Sequence, residues 1–238
     1  MLQPTDIERL LVVMAHPDDV DFGSAGTIAT LTEAGVDVTY CLVTDGNAGG
    51  SDRTVSRTDV AALRRVEQTA AAAVVGVTDL VFLGHPDGRV VADLVLRCDI
   101  SRVIRQVRPQ VVLCQSPDRN LDRIFASHPD HLAAGEATVS AVYPDSRNPF
   151  AFPELLQEGL EPWDVSEIWL SAHPTSTEFV DVTEHIDRKF LALRCHVSQL
   201  PDPDGMETRF RQLMAANAVK AGFAEGTFVE GFRVVQAS

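Results

Sequence analysis

Two short segments combine histidine and aspartate at a spacing suited to binding a metal ion. The first is HPDD at 16–19, which ends an apolar run, and the second is HPDH at 128–131. A histidine and an aspartate, or two histidines, three residues apart can both reach one ion. Zinc accepts imidazole nitrogen and carboxylate oxygen, and it keeps a position for water when three protein groups bind it. We therefore predict a zinc site where the two segments meet.

The spacing leaves the roles of individual residues open. Asp18 is a candidate general base, because a carboxylate beside a metal-activated water can accept its proton. The alternative is that Asp18 binds the metal and Asp19 lies outside the ligand set. His131 is the natural third ligand, which leaves His128 as a charged or neutral hydrogen-bond donor. Asp130 is expected to orient His128 or raise its pKa. The alternatives are that the first segment is a polar turn that caps a helix and that the second contributes two surface histidines after a proline-containing loop.

Three further residues are predicted to contact a substrate. Asp87, in an HPDG segment, follows a predicted strand and can accept a hydrogen bond from a hydroxyl, or it can simply form an Asp-Gly turn. One of the two arginines that begin a long predicted helix could reach a substrate, and we select Arg65 over Arg64. His196, in CHVSQ, is expected to close the pocket, the alternative being a structural histidine.

The elements that must position these residues alternate along the chain. Apolar runs predict strands at 9–15, 36–43, 79–83, 110–115, 166–171, 178–182 and 231–235. Helical patterns lie between them at 24–34, 59–75, 92–107, 132–142, 187–200 and 206–220. Such alternation predicts an α/β fold with a mainly parallel sheet covered by helices on both faces. Right-handed crossovers place the loops after the first four strands at one edge, so the two metal-binding segments should meet there.

Composition narrows the range of partners. The net charge of −14 over 238 residues opposes binding to nucleic acid and to anionic membranes, and it suits a small neutral or cationic ligand. No apolar run is long enough to span a membrane. The N-terminal sequence has no secretory pattern, so we expect a cytoplasmic protein with reduced cysteines. Glycine-rich nucleotide-binding fingerprints, a P-loop and a serine-hydrolase elbow are absent from the sequence.

Three segments in this order, AHPDDVDFGSAGTIA, LGHPDG and HPDHLAAG, resemble the PIG-L/LmbE family of zinc-dependent N-deacetylases. The family includes enzymes of mycothiol and bacillithiol biosynthesis and of N-acetylglucosaminyl-phosphatidylinositol de-N-acetylation. The resemblance implies one Rossmann-like, LmbE-like deacetylase domain over 1–238. Within it we distinguish a core at 1–143 and a C-terminal part at 144–238 that walls the pocket.

The resemblance also implies roles for individual residues. The implied zinc ligands are His16, Asp19 and His131. Asp18 becomes the base that activates water, and a protonated His128, held by Asp130, stabilises the tetrahedral oxyanion. Asp87 falls in the loop that lines the substrate pocket. The same ligands accept Fe²⁺, so the sequence leaves Zn²⁺ and Fe²⁺ open.

The sequence departs from the family pattern at one position. Many members carry glutamate directly after HPDD, whereas this chain has Val20 followed by Asp21. The metal-binding residues are unaffected, and Asp21 is the candidate replacement for the missing carboxylate.

The function expected from these features is hydrolytic. We expect a metal-dependent hydrolase that removes an acetyl group from a small N-acetylated amino sugar or sugar conjugate of the N-acetylglucosaminyl type. One alternative is an amidase acting on a larger sugar-thiol conjugate. Another is a non-catalytic sugar-binding protein that contains a metal. The sequence is also compatible with a homo-oligomer.

Overall fold

Seven strands form the central sheet of the computed structural model, which describes residues 1–50 and 52–237. The strands are β1 Arg9–Met14, β2 Asp37–Thr44, β3 Asp79–His85, β4 Val111–Gln115, β5 Glu167–Ser171, β6 Glu178–Asp181 and β7 Val229–Gln236. Their order across the sheet is β3-β2-β1-β4-β5-β7-β6. The first five strands are parallel, and β7 runs antiparallel to β5 and β6. The predicted mainly parallel α/β architecture is confirmed.

Seven helices accompany the sheet in the part of the chain that the structure describes. They are α1 Asp19–Glu33, α2 Arg57–Val74, α3 Leu94–Val107, α4 Pro129–Ser140, α5 Pro153–Gln157, α6 Ile186–Leu193 and α7 Pro203–Lys220. Short 3₁₀ turns lie at Pro4–Asp6, Ile124–Ser127 and Thr183–His185, and a π-helical turn lies at Ala141–Asp145. Within 1–50 and 52–237, no helix has the length and apolar character needed to cross a bilayer.

Several helices begin earlier than predicted, among them the two that start within the HPDD and HPDH segments, and α6 ends earlier. α1 starts at Asp19 rather than residue 24, and α4 starts at Pro129 rather than residue 132. Proline suits the first turn of a helix, and the His128 side chain caps α4 by accepting a hydrogen bond from the Asp130 N–H. Asp19 and residues 129–131 therefore lie in the first turns of helices. α6 ends at Leu193, before the predicted residue 200, because the chain turns there towards α2.

Apolar clusters cover both faces of the sheet. Alternate side chains of the central strand β1 point to opposite sides. Leu10 and Val12 join a cluster that includes α1 residues, whereas Leu11 and Val13 join a cluster with residues of α3 and α4. All four side chains are buried, as expected for a parallel strand with helices on both faces.

The ends of β1 and β4 bring the HPDD and HPDH segments together. These strands are direct neighbours, with Val13 opposite Cys114 in the register. Past the last paired residues, the Ala15 N–H donates a hydrogen bond of 2.9 Å to Oε1 of Gln115. This bond joins the residue before His16 to the last residue of β4, so the two chain segments leave the sheet side by side.

Gly135 allows α4 to lie against the end of β4. A Cβ atom at this position would overlap the carbonyl oxygen of Gln115 and lie 2.9 Å from the nitrogen of Pro117. Both are backbone atoms, which cannot rotate away. We expect Gly135→Ala to lower the free energy of unfolding by about 1–3 kcal/mol, the usual cost of overpacking. Denaturant titration measures this change, and Glu136→Ala, at an exposed position of the same helix, is the control, with little change expected.

Candidate active site

His16 lies at the centre of a cluster of carboxylates at the sheet edge. Its Nδ1 is 3.2 Å from Oδ2 of Asp19, and its Nε2 is 3.1 Å from Oδ1 of Asp87 and 3.3 Å from Oδ2 of Asp130. The other oxygen of Asp19 lies 3.1 Å from Nε2 of His131. Asp19 therefore bridges the two histidines that come from the distant segments, which the sequence predicted would meet.

The three imidazoles of the two segments converge at one point. The centroid of the His16 ring is 5.1 Å from that of His128 and 5.2 Å from that of His131, and the latter two centroids are 5.3 Å apart. One ring nitrogen from each of these histidines lies within 4.8 Å of the others. A second group with the same property consists of His16, Asp87 and Asp130. His16 belongs to both groups, so it is the residue on which any metal site here depends.

The electrostatics of the cluster favour a positive charge at its centre. Burial opposes protonation of His16, yet the carboxylates of Asp130, Asp19 and Asp87 raise its pKa to about 12. Burial would raise the pKa of Asp87, but its contact with His16 and a hydrogen bond from the Ala48 N–H lower it to about 2. Imidazoles and carboxylates are also the ligands that zinc binds. The donor set and its negative field therefore fit a divalent cation.

Asp19 and His131 also shift each other's pKa. Burial opposes the charge on Asp19, but the proximity of His131 and His16 holds the pKa of that carboxyl well below its usual range. Burial likewise opposes protonation of His131, and the charge of Asp19 nevertheless raises its pKa. Asp19 is thus held as a carboxylate between two imidazoles.

Asp18 occupies a strained position beside this cluster. Its φ of 88° and ψ of −29° place it in the left-handed region, which costs a residue other than glycine about 1–3 kcal/mol. Its Oδ2 lies 3.1 Å from Nη2 of Arg64. Burial and the negative charge of Asp19 raise the pKa of Asp18 to about 7, although Arg64 acts against this shift. A carboxyl with such a pKa suits proton transfer near neutral pH.

Asp130 contacts different groups from those expected. Its carboxylate accepts hydrogen bonds from the N–H groups of Gly88 (2.7 Å) and Val90 (3.2 Å), and it approaches His16. Only its backbone N–H contacts His128, donating to Nδ1 at 3.2 Å. The predicted orientation of His128 by the Asp130 side chain is therefore corrected. The carboxylate instead attaches the loop after β3 to the site.

His128 is set up as a neutral donor rather than a charged one. Burial and the positive charges of His16 and His131 lower its pKa, which argues against the protonated form expected from the sequence. Because Nδ1 accepts the Asp130 N–H, the ring proton of the neutral form resides on Nε2. The side chain is exposed, so this N–H is available to a ligand.

Of the three residues predicted to contact a substrate, the structure places one at the site and two elsewhere. Asp87 lies at the site, 3.1 Å from His16, and is buried. Arg65 points away: its guanidinium, 45% exposed, forms an ion pair with Asp45 at 2.8 Å and stacks on the ring of Phe82. His196 is 0% exposed and its Nε2 donates to Oδ2 of Asp21 at 2.8 Å. Both predicted substrate-binding side chains are therefore already engaged with a carboxylate.

Sequence reasoning did not select two residues of α2 that hold the HPDD segment. Arg64 is buried, and its guanidinium contacts the carboxylate of Asp18 and the carbonyl oxygens of Pro17 and Gly46. A Cβ at Gly46 would overlap this guanidinium, so the loop after β2 can lie over it only with glycine there. Gln68, one helical turn further on, accepts the Asp18 N–H at 2.7 Å. The spacing of four residues was the available signal, since it places both side chains on one helix face.

Comparison with known proteins identifies the family. The model of the PIG-L family, described as GlcNAc-PI de-N-acetylase, matches residues 11–142, which include the HPDD and HPDH segments. The chain belongs to the PIG-L family. The resemblance noted in the sequence is thereby confirmed.

Several proteins with similar sequence or structure carry deacetylase names. Diacetylchitobiose deacetylase of Thermococcus kodakarensis is 34% identical over 197 residues, which span 83% of this chain and 72% of that protein. The 1D-myo-inositol 2-acetamido-2-deoxy-alpha-D-glucopyranoside deacetylase of Thermobispora bispora is 29% identical, over 81% of this chain and 79% of that protein. The structure of N,N'-diacetylchitobiose deacetylase from Pyrococcus horikoshii, complexed with its inhibitor MPG, superposes with a TM-score of 0.90 and 30% identity, over 98% of this chain and 85% of that one.

Proposed function

We propose that this protein is a metal-dependent N-deacetylase that hydrolyses the acetamido group of an N-acetylated amino sugar or sugar conjugate of the N-acetylglucosaminyl type. The observation that carries the proposal is the convergence of His16 and His131 on the carboxylate of Asp19, with Asp18 and His128 beside them. Family membership and the names of the relatives, which act on N-acetylated sugars, support it.

A divalent ion would be held by His16, Asp19 and His131. Zinc is the ion we propose, and Fe²⁺ suits the same donors. When bound, such an ion polarises the amide carbonyl and acidifies a water molecule. Asp87 and Asp130 contact the other nitrogen of His16 and would orient its ring, as carboxylates commonly do for metal-binding histidines.

The side chains around that ion then have distinct tasks in the reaction. Asp18 accepts a proton from the attacking water, and the resulting hydroxide adds to the amide carbon. The Nε2–H of His128 donates a hydrogen bond to the oxygen that becomes negatively charged. Asp18 passes its proton to the nitrogen as the C–N bond breaks, so that acetate and a free amine leave. Arg64 keeps the carboxylate of Asp18 in place by contact with Oδ2.

We further propose that the C-terminal part of the chain, 144–238, walls the space for the rest of the substrate. A cavity of about 540 Å³ opens next to Gly23, one turn along α1 from Asp19. Its lining combines the loop before HPDH with the segment after β5, with β7 and with α7; it includes Arg123, His173, Phe210, Met214, Asn217 and Lys220. Aromatic, amide and cationic groups together suit a polyhydroxylated ligand that carries further substituents.

Hydrolysis of defined substrates tests the proposed function. The zinc-loaded protein would be incubated with N-acetylglucosamine, N,N'-diacetylchitobiose and an N-acetylglucosaminyl-inositol, and acetate and the free amine would be measured. Release of acetate in equal amount to amine is expected with at least one of them. Release of only a bulkier acid from a sugar-thiol amide would favour the amidase alternative. Tight binding of sugars without hydrolysis would favour the sugar-binding alternative.

Removal of the metal should abolish the activity reversibly. After dialysis against a chelator, we expect hydrolysis to fall on the order of 100-fold or more, because neither carbonyl nor water is then activated. Addition of stoichiometric Zn²⁺ or Fe²⁺ should restore it, and comparison of the two identifies the more effective ion. Full activity in protein that contains no divalent metal by elemental analysis would contradict the proposed mechanism.

A further inference from the structure

A chain of buried hydrogen bonds connects Asp18 to a histidine far from it in sequence. The Asp18 N–H donates to Oε1 of Gln68 at 2.7 Å, and Nε2 of Gln68 donates to Oδ2 of Asp21 at 2.9 Å. The same oxygen of Asp21 accepts from Nε2 of His196 at 2.8 Å. Gln68, Asp21 and His196 are each 0% exposed. These three side chains are therefore shielded from solvent. Their hydrogen bonds reach the proposed base only at the backbone N–H of Asp18.

The sequence made Asp21 the candidate replacement for the carboxylate that is missing after HPDD. In the structure its side chain does not contact the proposed metal ligands. The carboxylate of Asp21 is hydrogen-bonded to Gln68 and His196. Among the described residues, none of its hydrogen bonds reaches His16, Asp19 or His131. The Val20 side chain is buried in the apolar cluster on the α1 face. The carboxylate one residue later thus faces α2 and the turn after α6 instead.

The network retains two buried polar atoms without partners. Oδ1 of Asp21 and Nδ1 of His196 have no hydrogen bond within the part of the chain that the structure describes. Leaving such atoms unsatisfied destabilises a protein, and an apolar pair at these positions would avoid the penalty. The arrangement is therefore poorly explained as a device for stability alone.

The direction of the hydrogen bonds determines the orientation of the Gln68 amide. A carboxylate can only accept, so Asp21 must face the NH₂ group of Gln68. The amide oxygen is then forced to face the other way, towards the N–H of Asp18. That N–H belongs to a residue in the left-handed region, a conformation that persists only where its surroundings impose it. Arg64 restrains the carboxylate of the same residue from the preceding turn of α2.

We propose that Asp21 and His196 are positioning residues: they orient the Gln68 amide, which holds the backbone of Asp18 so that its carboxylate meets the attacking water. This inference rests on the proposed function, since it concerns the base of that reaction. It assigns a role to a buried carboxylate that does not itself take part in the proposed reaction. His196 supplies the N–H that keeps Asp21 in its orientation.

Substitutions at both ends of the Gln68 amide test this role. Gln68→Met has a similar length but neither donor nor acceptor, and Asp21→Asn can present an NH₂ group where a carboxylate is required. For each we expect kcat to fall about 10- to 100-fold, the usual effect of groups behind a catalytic residue, with KM within about twofold. Zinc content should stay at one ion per chain. The double variant should be no slower than the slower single variant, because both changes break one chain of bonds.

The control is a buried carboxylate outside the site. Asp145, which accepts two hydrogen bonds from Arg97, is buried like Asp21, so Asp145→Asn should lower the melting temperature and leave kcat unchanged. His196→Gln provides a third, milder variant if either main substitution fails to fold. A kcat within twofold of the wild-type value in folded, zinc-loaded variants would overturn the inference, as would strictly additive losses in the double variant. Failure of the proposed function would instead appear as an inactive wild-type protein.

Discussion

Asp18→Asn lowers kcat for deacetylation by about 10²- to 10⁴-fold, the range expected when a general base is removed, while the protein keeps its metal ion. Asparagine preserves the size of the side chain and can still accept a hydrogen bond from Arg64. It cannot take a proton from water. Because His16, Asp19 and His131 remain, the ion should stay bound. Steady-state kinetics and elemental analysis on the same sample measure both effects.

This experiment also decides between the two roles that the sequence left open for Asp18. If Asp18 were a ligand and Asp19 lay outside the metal, Asp18→Asn would release the ion and Asp19→Asn would not. Asp45→Asn is a matched control, since Asp45 also follows a strand at this edge and also contacts an arginine. It should change neither metal content nor kcat. An Asp18→Asn variant as active as the wild type would remove Asp18 from the mechanism.

We expect His131→Ala to abolish both metal binding and activity, and His128→Ala to abolish most activity while the ion stays in place. Both variants are needed because ring nitrogens of His16, His128 and His131 all lie within 4.8 Å of one another. By distance alone, either His128 or His131 could be the ligand. His131 contacts Asp19 and is half-buried; His128 is exposed, and its Nδ1 is engaged with the Asp130 N–H. Loss of an oxyanion donor costs about 10²- to 10³-fold in kcat.

Zinc affinity distinguishes the roles of His128 and His131 better than activity does, because both variants are expected to be nearly inactive. Equilibrium dialysis against a zinc buffer gives the dissociation constant for each variant. We expect a value near that of the wild type for His128→Ala and no measurable binding for His131→Ala. His173→Ala, at a histidine paired with Asp118 outside the cluster, is the control. If His128→Ala lost its ion as completely as His131→Ala, the three imidazoles would form the ligand set and Asp19 would be a supporting group.

The features that follow from chain order were predictable from the sequence. Strand and helix patterns alternate, and the handedness of crossovers then decides at which edge the loops meet. These two rules were enough to predict that the residues after β1 and those after β4 lie at the same edge of the sheet. Hence the convergence of His16 and His131 was predicted although no local pattern connects them.

The features that depend on which way a side chain points were not predictable. Arg64 and Arg65 are neighbours on α2, and successive residues of a helix point about 100° apart. Only the packing of α2 decides that Arg64 faces the HPDD segment and Arg65 faces Asp45. The sequence around His196 likewise gives no sign that its partner is the buried Asp21.

The fold of this chain does not by itself specify the reaction, because one fold can support many chemistries. The deacetylase proposal therefore depends on the arrangement of a few groups at the sheet edge. Three carboxylates surround one imidazole, a fourth is held in a strained backbone conformation, and a neutral histidine presents an N–H to the same space. In the proposed reaction these groups would supply metal ligands, a base and an oxyanion donor.

The most direct test of the central claim is a crystal structure of the zinc-loaded protein with anomalous data collected at the zinc edge. We predict one zinc ion per chain, about 2.0–2.2 Å from a nitrogen of His16, a nitrogen of His131 and an oxygen of Asp19, with a position open to solvent. An anomalous peak between His16, Asp87 and Asp130, or no peak at this edge of the sheet, would contradict the account.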